Sequence, residues 1–179
     1  MSDEKKEPWM NYLALTTIIF AVCATLATFK GGGYSTKSLL SQAQESDQWS
    51  YYQSKSVKQY IHDAEKDELD LQLKRIPKTE TESIDAYQNK IKQLTDKLKK
   101  YDTEKEKIKK DAEELEATKI SAQAHSGVFG KGVIFLQISI LLSSIAALLK
   151  KKYLWLIGVV VGIFGVFLFV DGFLLFFLF

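Results

Sequence analysis

Residues 133–149 read VIFLQISILLSSIAALL, residues 150–152 are three lysines, and residues 153–170 read YLWLIGVVVGIFGVFLFV. A helix crosses the roughly 30 Å hydrocarbon layer of a bilayer with about 20 predominantly apolar residues. Both runs approach that length, and the three lysines between them leave room only for a tight turn. The stretch therefore predicts two antiparallel transmembrane helices, assigned to residues 128–149 and 153–179, the second with an apolar tail.

The first apolar run in chain order, residues 9–29, reads WMNYLALTTIIFAVCATLATF. Its length is again sufficient for one crossing at about 1.5 Å per residue. Pro8 stands where a helix needs no amide proton, and Trp9 and Tyr12 are placed as interfacial anchors. The sequence therefore predicts an all-α membrane protein with three transmembrane helices, preceded by a short tail, residues 1–8.

Residues 30–127 form a polar block that contains 18 Lys and Arg and 18 Asp and Glu, so the block has no net charge. Nucleic-acid binding requires a basic face, so we expect no nucleic-acid partner. Apolar periodicity predicts helices over about 36–74 and 81–124, with Ser35 as the first cap and a break at Arg75-Ile76-Pro77-Lys78. The short turn predicts a long antiparallel hairpin, a rod about 60 Å long.

The second helix of this hairpin carries apolar residues at alternating spacings of three and four, which predicts a coiled-coil seam. The seam residues are Ile84, Tyr87, Ile91, Leu94, Leu98, Tyr101, Ile108 and Leu115. A weaker stripe on the first helix is interrupted by polar residues and contains Leu39, Ala43, Val57, Tyr60, Ala64 and Leu71. Two helices alone bury little surface, so we expect several hairpins to pack together in a homo-oligomer.

Small residues recur in the apolar runs at helical spacing, and such faces drive helix association in lipid. The first run has Thr17, Ala21 and Thr25. The predicted packing residues of the other two are Ser139, Ser143 and Ala147, and Gly158, Gly162 and Gly165.

Asp171 is the acidic exception in the third run, and it lies near the edge of the hydrocarbon layer. A carboxylate in apolar surroundings needs a partner, and Lys131 is at the same edge, so we predict an interfacial ion pair between them. A proton or ion site at Asp171 is the alternative.

Positive charges near the ends of short loops predict the orientation. Lys150, Lys151 and Lys152 lie on the same side as Lys5 and Lys6, five positive charges against the three of Lys30, Lys37 and Lys131. This balance places the amino terminus in the cytoplasm, and the hairpin and the carboxyl terminus outside it.

The chain contains no convincing catalytic or metal-binding pattern. Gly31-Gly32-Gly33 precede a predicted helix start, but the GxxxxGK[ST] spacing is absent, and these glycines are better explained as a swivel matched by Gly127, Gly130 and Gly132. His62 and His125 are far apart, and Cys23 is the single cysteine. We expect no cofactor, no metal and no enzymatic activity.

Aromatic residues cluster on the otherwise polar first helix of the hairpin. Trp49, Tyr52 and Tyr60 either fill an interior gap in the hairpin bundle or form a partner-binding face.

Three segments together resemble a bacterial membrane-protein family that carries only a domain-of-unknown-function label. They are WMNYLALTT at 9–17, FKGGGYST at 29–36 and SDQWSYYQSK at 46–55. The resemblance implies a protein of the bacterial inner membrane, and it transfers no activity.

These observations favour a non-enzymatic homo-oligomeric scaffold that is anchored in the membrane, in contact with membrane lipids. It would display the hairpin for assembly or partner binding. The alternative is a channel or transporter component lined by Gln137, Ser139, Ser143 and Ser144. An inverted orientation would instead make the chain a cytoplasmic adaptor.

Overall fold

The computed structural model describes residues 8–77 and 79–175. Within these ranges the chain forms three α-helices and no strand: α1 over Pro8–Leu73, α2 over Thr81–Leu149 and α3 over Lys152–Leu174. Each helix contains a stretch long and apolar enough to cross a membrane. The predicted class, an all-α protein with three such helices, is confirmed. Lys5, Lys6, Lys78 and residues 176–179, used in the predictions above, lie outside the described residues.

The glycine-rich segments do not interrupt the helices. The predicted swivels at Gly31-Gly32-Gly33 and at 127–132 are wrong, because α1 and α2 continue through them. Ser35 accordingly lies inside α1 and caps nothing. A glycine costs a helix about 1 kcal/mol relative to alanine. That cost is smaller than the cost of leaving backbone groups unsatisfied at the edge of an apolar layer.

Two short turns connect the helices. In the first, the Glu80 amide donates to the Pro77 carbonyl at 3.0 Å, directly before α2. In the second, Lys150 has a left-handed backbone, φ 51°. The amide of Lys151 reaches back to the carbonyl of Ala146 at 3.1 Å. This is the hydrogen-bond pattern that commonly closes a helix end, here with lysine where glycine is usual.

The chain divides into two compact units, residues 1–40 with 118–179 and residues 41–117. The first unit contains all three apolar stretches. Its interior is formed by small residues and aromatic rings, including Ala27, Phe129 and Ala146, each fully buried.

In the second unit, segments of α1 and α2 run antiparallel. Lys55 Nζ donates to Glu104 Oε2 at 2.7 Å, and Gln59 Nε2 donates to Asp102 Oδ1 at 2.7 Å. The number on α2 falls as the number on α1 rises, as antiparallel neighbours require.

The apolar residues of the two segments differ in how far they are buried. On α2 the predicted seam residues are buried or half-buried, with Leu94 1% and Ile108 5% exposed. On α1 the residues of the weaker stripe are exposed: Val57 by 56%, Tyr60 by 73% and Leu71 by 56%. Within one chain this stripe therefore does not contact the α2 seam, because polar side chains such as Lys55 and Gln59 occupy the face that contacts α2.

Candidate functional site

The first candidate site is the contact at which the three apolar helix segments meet. Ser139 Oγ on α2 donates to the carbonyl of Gly158 on α3 at 2.6 Å. A Cβ at Gly162 would overlap the Phe20 ring of α1 and come within 2.6 Å of Ser139 Oγ. Gly162 is therefore the point at which one missing side chain lets α1, α2 and α3 approach one another.

The neighbouring small residues belong to the same contact. A Cβ at Gly165 would lie 2.9 Å from Leu136 Cγ, and one at Gly158 would lie 3.2 Å from Leu142 Cβ. Ser143 is fully buried, and Ala147 packs against a cluster of Trp9, Leu13 and Ala146.

The small-residue face expected on α1 is in a different position. Ala21 and Thr25 are exposed, whereas Leu13, Phe20 and Ala24 supply the buried face. The spacing of four selected the wrong side of this helix, because a phenylalanine ring can occupy the space that the α3 glycines leave open.

At the carboxyl end of α3 an aromatic and histidine cluster joins the same three helices. His125 Nδ1 on α2 donates to the carbonyl of Gly172 at 2.8 Å. Its ring stacks on Tyr34 of α1, with centroids 4.4 Å apart and planes 13° apart. The fully buried Phe129 fills the space between Gly31 and Gly172, where added Cβ atoms would lie 2.9 and 2.8 Å from it.

Sequence reasoning missed this cluster. It treated His125 as one of two isolated histidines, although aromatic residues and glycines recur around it at Tyr34, Phe129 and Gly172. Asp171, next to Gly172, is 4% exposed, and Lys131 is exposed. Their predicted ion pair stays a prediction.

The residues of the predicted channel lining lie on different sides of α2. Ser139 and Ser143 are fully buried, and Ser139 is bonded to α3. Gln137 and Ser144 are exposed. The four side chains therefore do not form one polar face within this chain.

The second candidate site is a polar network between α1 and α2 in the second unit. The Lys55 ammonium lies 5.3 Å from the Tyr51 ring centroid and 5.4 Å from that of Tyr101, and it donates to Glu104. Gln59 bridges Asp102 and Lys105, donating to the first and accepting from the second. Such paired side chains determine which residues of two helices face each other.

The ion pair in this network shifts the pKa of both of its partners, Lys55 and Glu104. The hydrogen bond from Lys55 holds the pKa of the Glu104 carboxyl below its ordinary value. The same bond raises the pKa of Lys55. Both shifts favour the charged pair at neutral pH.

The predicted aromatic cluster is only partly assembled. Trp49 and Tyr52 form an edge-to-face pair with centroids 5.7 Å apart, and both are half-buried. Tyr60, two turns further along α1, is exposed. His62 stacks on Tyr101, with centroids 5.9 Å apart. Among residues 8–77 and 79–175, no three His, Cys, Asp or Glu side chains gather in a way that could hold a metal ion.

Replacing Gly162 with alanine is expected to lower the free energy of unfolding by about 1–3 kcal/mol, because the new methyl group overpacks the Phe20 and Ser139 contact. Thermal unfolding of the detergent-solubilised protein measures the effect. Gly130→Ala is the matched control, since a Cβ there meets nothing within 4 Å. Equal melting temperatures for the two variants would contradict the assigned contact.

Acidification is expected to weaken the second unit through Glu104. A lowered pKa in the fold means that the contribution of Glu104 is present above its ordinary range, about 4.3, and is lost as pH falls through the shifted value. Glu104→Gln should therefore flatten the decline in helix melting temperature between pH 7 and pH 3, followed by circular dichroism. Exposed Glu106→Gln is the control and should retain the wild-type decline. The same decline in both variants would contradict the role of the pair.

Comparison with known proteins identifies a family. Residues 9–175 match the family model described as Domain of unknown function (DUF4337). The match covers nearly the whole chain, so the chain belongs to this family, and the predicted resemblance to a family labelled only by unknown function is confirmed. No curated protein and no solved structure matches the chain.

Proposed function

Starting from membership in this family, we propose that the chain is a non-enzymatic membrane scaffold. It self-associates in the bacterial inner membrane and displays the α1–α2 hairpin outside the cytoplasm for assembly or for binding a partner. The observation that carries the proposal is the exposed apolar stripe on the α1 segment of the second unit.

That stripe contains Val57, Tyr60, Ile61 and Leu71, which are 56%, 73%, 61% and 56% exposed. Tyr60, Ile61 and Leu71 follow Val57 by 3, 4 and 14 residues, which places all four on one side of the helix, opposite the side with Lys55 and Gln59. Apolar side chains in a row on a helix surrounded by water are a typical interaction surface. A second copy that covers this row would bury apolar residues of α1 that the α2 segment of the same chain does not contact.

A polar residue in an apolar span supports the same proposal. Gln137 is exposed on α2, inside the run 133–149. A glutamine amide facing lipid gains about 1–2 kcal/mol from a hydrogen bond to a neighbouring helix. Contact between copies therefore accounts for Gln137 better than a channel does, because Ser139 and Ser143 are fully buried and Ser139 donates to the Gly158 carbonyl of α3.

The double variant Val57→Ser with Tyr60→Ser is expected to shift the protein from an oligomer towards monomers, since it removes apolar surface that copies would share. Mass photometry in detergent and chemical crosslinking in membranes measure the shift. The control, Lys58→Ser with Asp63→Ser, changes two exposed residues of the same helix outside the stripe and should leave the oligomer intact.

Two outcomes would contradict the scaffold. One is a wild-type protein that is monomeric in both measurements. The other is solute flux into liposomes that Gln137→Leu abolishes, which would support the channel alternative instead.

The orientation is tested with a single introduced thiol. In a Cys23→Ser background, Thr79→Cys places the thiol in the turn between α1 and α2. A membrane-impermeant maleimide is expected to label it in intact spheroplasts, because the positive charges place the hairpin outside the cytoplasm. Labelling that requires lysis would support the cytoplasmic adaptor.

A further inference from the structure

A shallow, open depression lies on the surface of α1, within the first unit, and all of the residues that line it belong to this one helix. It is lined by Thr28, Phe29, Lys30, Gly32, Gly33, Tyr34, Thr36 and Lys37. We refer to it as the Lys30–Lys37 cleft. None of the roles described above accounts for it.

The three consecutive glycines of this segment face in different directions. Successive helical residues turn by about 100°, so Gly31 lies roughly opposite Gly33. Gly31 packs on Phe129, which explains the absence of a side chain there. A Cβ on Gly32 or Gly33 would meet nothing within 4 Å. These two glycines weaken the helix relative to alanine and permit no packing inside this chain.

Lys30, Gly33 and Lys37 share one side of the helix, at positions i, i+3 and i+7. Gly33 therefore forms the floor between two ammonium groups. In the part of the chain that the structure describes, neither lysine has a carboxylate within 4.0 Å; the ion pairs present involve other residues. The cleft thus combines positive charge with direct access to a side-chain-free stretch of helix.

The charges argue against a second copy as the occupant. Copies in one membrane related by a twofold axis along the bilayer normal would run parallel, which brings Lys30 near Lys30 and Lys37 near Lys37. Like charges at close range oppose such a contact. An anionic group complements the cleft instead.

The position along the chain selects the kind of anion. Lys30 directly follows the apolar run 9–29, and Phe29 beneath it is 76% exposed. Lys37 is about 10 Å further along the helix axis, within side-chain reach of the headgroup layer, which is several ångströms thick. A ligand with a charged group and an apolar chain would therefore contact the lysines through the charged group and the Phe29 ring through the chain.

We propose that the Lys30–Lys37 cleft binds the phosphate headgroup of an anionic membrane phospholipid. Lys30 and Lys37 hold the phosphate oxygens, and Gly33 leaves the space in which the headgroup lies. The Phe29 ring lies alongside the acyl chains. The site goes beyond the scaffold function, because it requires only that α1 spans a membrane.

Native mass spectrometry of the detergent-solubilised full chain, titrated with phosphatidylglycerol or phosphatidylcholine, tests the proposal. The wild-type chain should retain phosphatidylglycerol in preference. Lys30→Gln with Lys37→Gln should weaken its retention by about 30-fold. The control, Lys92→Gln with Lys99→Gln, removes two exposed lysines at the same spacing and should retain the lipid as the wild type does.

Gly33→Leu distinguishes a shaped site from diffuse attraction, since it keeps both charges and adds a side chain between them whose Cβ meets nothing within 4 Å. Reduced retention of phosphatidylglycerol supports the cleft, and unchanged retention overturns it. Equal retention by the Lys30 and Lys37 double variant also overturns the proposal, as does displacement of the lipid by millimolar inorganic phosphate, which would indicate a site for a soluble anion. The spectra report the oligomeric state of each variant, so a failure of the lipid site remains distinct from a failure of the scaffold.

Discussion

The constraint on which the rest of the structure depends is that backbone amides and carbonyls in an apolar layer must bond within their own helix. It explains why α1 and α2, which are 66 and 69 residues long, continue through glycine-rich segments at the ends of their apolar stretches. Continuing the helix through a glycine costs little free energy there, whereas interrupting it would leave backbone amides and carbonyls without hydrogen bonds. Polar and apolar parts of the chain are therefore covalently joined by continuous helix.

Close approach of the helices adds the second level of organisation. Gly162 admits Phe20 and Ser139, and Gly31 and Gly172 admit Phe129, so at both places glycines receive bulky or polar groups from other helices. In lipid the association of helices depends on such packing and on interhelical hydrogen bonds, since apolar surface alone provides no drive. The bond from Ser139 to Gly158 and the bond from His125 to Gly172 supply the polar part.

The second unit follows different rules. On its α2 segment, apolar residues such as Leu94 and Ile108 are buried. On its α1 segment, Lys55 and Gln59 contact α2, whereas Val57 and Tyr60 are exposed. Cross-helix hydrogen bonds connect the two segments, and the apolar row on α1 is exposed in this chain. The proposed association between copies rests on this asymmetry.

The helical class, the three apolar stretches, the two turns and the buried side of α2 can be read from the amino-acid sequence alone. These properties follow from run length, from proline and from local periodicity, all of which are readable along one helix. Two features depend on the tertiary structure. The buried side of α1 contains Phe20 instead of the expected face of Thr17, Ala21 and Thr25, and His125 bonds to the carbonyl of Gly172. Those outcomes depend on how the surfaces of three helices fit together. Which residue packs against a glycine is known only once the facing helix has been positioned.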